Sequence, residues 1–107
     1  MEEKVYRGRL YDFYGELLSD HKREIYEAYV IDDLSMTEIA DLVGLTKQGV
    51  SDQIKRCTAK MNEMEEKLHL CERFDRIGEK LDAIIGIAEA NGYADIKRLA
   101  EDISEEV

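Results

Sequence analysis

Proline and tryptophan are absent from this 107-residue chain, and glycine occurs only seven times. Without proline, nothing obliges a helix to kink or stop except those glycines. Long apolar runs are missing too. The longest, Ala83 to Ala88, is six residues with Gly86 inside it, far short of a membrane span. The start, Met1-Glu2-Glu3-Lys4, has neither the basic nor the apolar region of a secretory signal, so a cytoplasmic protein without membrane insertion is expected. Cysteine is scarce: Cys57 and Cys71 cannot make a disulfide framework. Together with His21 and His69 they form no C-x-x-C pair and no paired histidines one turn apart, so no metal site is expected. The glycines are scattered and cradle no phosphate, and no nucleophile stands beside a base. The expectation is a non-enzyme with no cofactor.

The chain does hold 44% apolar and 37% charged residues, too apolar for a disordered tail. Its size is that of one domain, or a small domain with an appended arm. Acidic side chains outnumber basic ones 25 to 15, giving a formal charge of −10. The excess is uneven: residues 61 to 107 hold thirteen acids and six bases. Across residues 47 to 60, by contrast, Lys47, Lys55, Arg56 and Lys60 are opposed by Asp52 alone. Electrostatics therefore allows nucleic acid at that segment and argues against a non-specific coat.

Apolar spacing predicts helices throughout. A first helix carries Tyr6, Leu10, Phe13, Tyr14, Leu17 and Leu18; a second, capped by Ser19, carries Ile25, Tyr26, Tyr29 and Val30. Asp32 and Asp33 interrupt. Ser35 and Glu38 form a capping box for a short third helix that ends at Gly44, and Thr46 caps a fourth beginning at Lys47. In that helix Val50, Ile54, Cys57, Met61, Met64, Leu68 and Cys71 alternate at spacings of four and three, a heptad seam. We expect Cys57, Met61, Met64, Leu68 and Cys71 to pair two copies as a homodimer; the alternative is packing against the protein's own first helix. Beyond Cys71 the stripe shifts register, Asn91-Gly92 stops the helix, and Tyr93 to Ile103 forms a last one. The expected division is a domain at 1–73 and a helical acidic arm at 74–107.

Residues 35 to 56 have the geometry of a helix-turn-helix. Ala40 is the small residue where two helices cross, and Gly44 supplies the positive φ of the tight turn. Leu45, Val50 and Ile54 are expected to plug the corner. An ordinary helical hairpin is the alternative. A recognition helix enters the major groove by its N-terminal end. The expected DNA-contacting set is Thr46, Lys47, Gln48, Ser51, Asp52, Lys55, Arg56 and Lys60. Lys47 suits guanine acceptors and Gln48 suits adenine. Arg56 and Lys60, with Lys22 and Arg23 on the preceding helix, suit phosphates, as do the hydroxyls of Thr46 and Thr37 at helix starts. Asp52 suits a cytosine amino group or an internal pair.

Tyr11-Asp12-Phe13-Tyr14 with Leu17-Leu18, Asp32-Asp33-Leu34-Ser35, Glu38-Ile39-Ala40, Lys55-Arg56 and Glu65-Glu66-Lys67-Leu68 occur in that order. This run, Tyr11 to Phe74, resembles the YlxM-type proteins of bacteria. The resemblance implies an all-α helix-turn-helix fold similar to region 4 of sigma factors, within the winged-helix-type DNA-binding superfamily but without a wing, and with a long C-terminal helix. It also implies a regulator or accessory factor of co-translational targeting, since such genes usually lie beside those of the signal recognition particle GTPases. Duplex DNA is the expected partner; the alternative is the particle's protein, receptor or RNA. Where the family commonly reads Ser-Arg-Gln-Ala-Val-Tyr, this chain reads Thr46-Lys47-Gln48-Gly49-Val50-Ser51, so a point charge replaces an arginine fork.

Overall fold

The structure, a computed structural model, describes residues 3–107. Among these residues there are six α-helices and no strand: α1 (Glu3–Tyr14), α2 (Asp20–Val30), α3 (Met36–Val43), α4 (Lys47–Leu68), α5 (Leu70–Asn91) and α6 (Ala94–Glu106). A 3-10 turn, Gly15–Leu17, follows α1. The chain forms two compact units that divide between His69 and Leu70, not at 73/74.

In the first unit the helical spacing of apolar residues becomes a single core. Leu10 and Tyr14 of α1, Ile25 and Tyr26 of α2, Ile39 of α3, and Val50, Ile54 and Met61 of α4 are almost wholly buried. Tyrosine does unusual duty here, with rings turned inward and hydroxyls reaching a polar partner. Tyr11 stacks on Tyr26 with centroids 5.5 Å apart. Tyr14 donates to Glu65 at 2.6 Å, and Tyr6 donates to Asn62 at 2.6 Å, so α1 is tied along α4. Thr58 donates to the Ile54 carbonyl at 2.8 Å, which leaves its oxygen to accept from Tyr26 at 2.7 Å.

Two consequences are measurable. Gly15 has no room for a side chain: a Cβ there would lie 2.6 Å from the Tyr11 ring. Because that ring is held against Tyr26, Gly15→Ala should cost about 1–3 kcal/mol in denaturant unfolding, as overpacked sites do; an unchanged midpoint would show that the ring moves freely. Burial also pushes the Tyr26 phenol up from 10.0 to about 12. A raised folded pKa favours the protonated, folded form, so this stabilisation is full below pH 10 and is lost as pH rises through about 12. The stability advantage of the native chain over Tyr26→Phe should therefore shrink between pH 10 and pH 12 in thermal melts, and a constant difference would sink the assignment.

The predicted fourth helix is shorter than the heptad pattern implied. It ends at Leu68, and His69 takes a left-handed conformation with φ 57, its amide bonding back to the Glu65 carbonyl. The expected seam is thereby broken before Cys71. Within α4 the alternative holds: Cys57 and Met61 are buried in the protomer's own core, Met64 is half-buried, and Leu68 is 47% exposed. The apolar heptads reflect packing on α1 and α2. Burial also pushes the Cys57 thiol up, despite Lys22 and Lys60 nearby, which keeps it protonated.

The second unit is an antiparallel hairpin of α5 and α6. Gly92, with φ 72, turns the chain, and the Tyr93 amide bonds to the Ala88 carbonyl at 2.9 Å. Leu81, Ala88 and Ala100 are its buried residues between the helices, the two alanines permitting close approach, and Lys97 pairs with Glu89 at 3.0 Å.

Candidate nucleic-acid interface

The segment from Ser35 to Arg56 is a helix-turn-helix. Ser35 and Glu38 make the reciprocal capping box at 3.1 Å in each direction, starting α3 where the sequence predicts. Gly44 closes α3 with φ 73, a conformation that costs glycine nothing, and both its amide and that of Leu45 bond to the Ala40 carbonyl. Thr46 then accepts from the Gly49 amide at 2.9 Å, so α4 starts at once. Ala40, Val50 and Ile54 are buried in the corner. Leu45, expected beside them, is 38% exposed: the turn carries it outward, and Val50 and Ile54 fill the space.

With Val50 and Ile54 inward, α4 presents Lys47, Gln48, Asp52, Lys55, Arg56 and Lys60 to solvent, with Ser51 half-buried among them. Lys47 to Lys60 extends over about 20 Å at the rise of an α-helix. Gln48 donates to Asp52 at 3.0 Å. That bond occupies the acid within its own helix and leaves the second amide proton and the carbonyl of Gln48 for other partners. Lys60 reaches the Leu17 carbonyl at 3.4 Å, which anchors it toward the 3-10 turn at the far end of the row. Lys47, Lys55 and Arg56 have no ion-pair partner among the described residues. Thr37 and Lys22 are exposed.

Arg23 departs from its expected role. Its guanidinium donates to Tyr11 at 3.5 Å and lies 3.9 Å from Glu27, in a groove that Asp20, Glu24 and Asp32 also line. Its neighbours hold it against other anions rather than toward a phosphate. The cations of α1 are similarly engaged: Lys4 pairs with Asp33, Arg7 with Glu3 and the Tyr29 hydroxyl, and Arg9 stacks over Phe13. Composition alone could not separate these engaged cations from the exposed ones on α4. The tyrosine hydroxyl network also escaped sequence reasoning; its signal was a set of tyrosines on inward positions, where an oxygen needs a partner.

Fold and site together define a helix-turn-helix protein. Residues 1–101 match the model of the UPF0122 family, described as "Putative helix-turn-helix protein, YlxM / p13 like". A UPF0122 protein of Thermoanaerobacter sp. (strain X514) is 41% identical over 99% of this chain and 94% of its own. One from Lacticaseibacillus casei (strain BL23) is 37% identical over 92% and 87%. One from Clostridium acetobutylicum is 42% identical over 71% and 66%. The chain belongs to the UPF0122 family. No solved structure matches it. No helix among the described residues is long and apolar enough to cross a membrane.

Proposed function

We propose that this chain is a cytoplasmic DNA-binding regulator that acts in the signal recognition particle pathway, reading duplex DNA with the N-terminal half of α4. The observation that carries this reading is the set of exposed, unpaired cations Lys47, Lys55 and Arg56 on the second helix of a helix-turn-helix, in a chain whose net charge is −10. In an acidic molecule a concentrated cationic face steers an anion to one place. Thr46, Gln48 and Ser51 stand beside it as hydrogen-bonding groups for base edges and phosphates. Capture of sheared genomic DNA on the purified protein tests the reading. Enrichment of a few sites is expected, with affinity falling steeply in salt at a log–log slope of roughly −3 per copy. A flat profile overturns it.

A second reading is supported by a different surface. Asp20, Glu24, Glu27 and Asp32 line a groove with the exposed side chain of Leu42 at its edge. Such a surface suits a basic protein, and the resemblance to YlxM-type proteins points to the targeting GTPases. In that reading the chain is an accessory factor without sequence-specific DNA binding. Binding to those GTPases that survives reversal of Lys47 and Lys55, alongside a flat DNA profile, would favour it. Binding of the particle's RNA through the same lysines would appear instead as capture of RNA in place of DNA.

A further inference from the structure

The α5–α6 hairpin carries an apolar face that its own two helices do not use. On α5, Ile77 and Ile84 precede the buried Leu81 and Ala88 by four residues, and Ile87 precedes Ala88 by one. On α6, Ile96 and Leu99 stand at the same offsets before the buried Ala100, and Ile103 stands three after it. The exposed stripe is therefore rotated the same way from the buried stripe on both helices. Because the helices run antiparallel and face each other, that common rotation brings both stripes to one side of the hairpin. Ile87 and Leu99 are each 62% exposed, and the other four are 39% to 48% exposed. Together the six exposures amount to roughly 550 Å², at the top of the range of patches typical of monomers and near the lower end of the share one partner gives a stable interface.

We propose that this face is covered by the same face of a second copy, so that two hairpins close a four-helix bundle. Charge selects the occupant and its orientation. Arg73, Arg76 and Lys80 flank the stripe on the N-terminal half of α5, where they line a groove with Ile77. Asp102 and Glu106 flank it on the C-terminal half of α6. A two-fold axis along the hairpin lays α5 of one copy on α6 of the other. It sets Lys80 at the level of the partner's Glu106, with Arg76 and the partner's Asp102 each about one helical turn away along the axis. The alternative two-fold, α5 on α5, would not match these flanks. Two recognition helices per particle would follow, but the association itself does not rest on DNA binding.

Sedimentation of the full chain without nucleic acid tests the proposal. At about 100 µM, a concentration that populates interfaces of this size, the expected mass is twice 12.4 kDa. Ile84→Lys with Leu99→Lys should give the monomer mass with unchanged helicity, since both positions are solvent-facing in the single chain. Lys80→Glu alone should weaken association roughly tenfold, because the two-fold repeats the loss. Adding Glu106→Lys should restore it to within about twofold. A native chain that stays monomeric overturns the proposal, as does a dimer that persists in the double lysine variant. A charge swap without rescue overturns the α5-on-α6 pairing.

Discussion

Lys47→Glu combined with Lys55→Glu is expected to weaken binding to a captured duplex site by more than about a hundredfold at near-physiological salt. Each reversal removes a cation that attracts the phosphate backbone and installs a repelling charge, and loss of a base-contacting side chain alone is worth about 1–3 kcal/mol. Both side chains are exposed and neither has an ion-pair partner among the described residues, so nothing in the fold depends on them. Stability should stay within about 0.5 kcal/mol of the parent, as for most surface substitutions. The salt dependence should also flatten, by about one in log–log slope for each lysine that contacted phosphate. Electrophoretic shift or fluorescence anisotropy across a salt series measures both quantities. Unchanged affinity in a well-folded variant would remove α4 as the nucleic-acid surface.

The second large effect is on stability, at Met61. This side chain has no solvent exposure, and α4 is tied to α1 just beyond it, through Asn62 with Tyr6 and Glu65 with Tyr14. Met61→Ala should cost about 2–5 kcal/mol, the usual loss when a large core residue is truncated. For a domain of this size that is a large share of the total stability. Leu68→Lys, one heptad further along the same helix, should change stability by no more than about 0.5 kcal/mol, because Leu68 is exposed. Urea unfolding of the two variants decides between a core and an intermolecular seam. Equal, small effects at both positions would restore the seam.

The local grammar of the helix-turn-helix was legible from residue types alone. Ser35 with Glu38, Gly44 and Thr46 act through backbone groups within four residues, so their roles do not depend on distant parts of the chain. Asn91-Gly92 ended α5 for the same reason. The break at His69 was harder to see. Histidine is one of the few side chains that enter the left-handed region with modest strain, as Asp33 does after α2, and neither forces a turn as glycine does.

A heptad stripe states that one face of a helix avoids water without stating what covers it. Cys57 and Met61 fit a dimer seam and an internal core equally well as letters; the position of α1 made them core. Charge behaves likewise. Arg23 and Lys55 are indistinguishable by composition, yet Arg23 lies against Tyr11 and Glu27 while Lys55 faces solvent. By itself, then, the sequence determined the helical class, the caps, the turn and the cationic segment, because these follow from interactions a few residues apart. The tertiary structure alone decided which apolar stripe is core, which cations are free and which helix face is left open. Those outcomes depend on contacts between residues far apart in the chain, and periodicity carries no information about the partner.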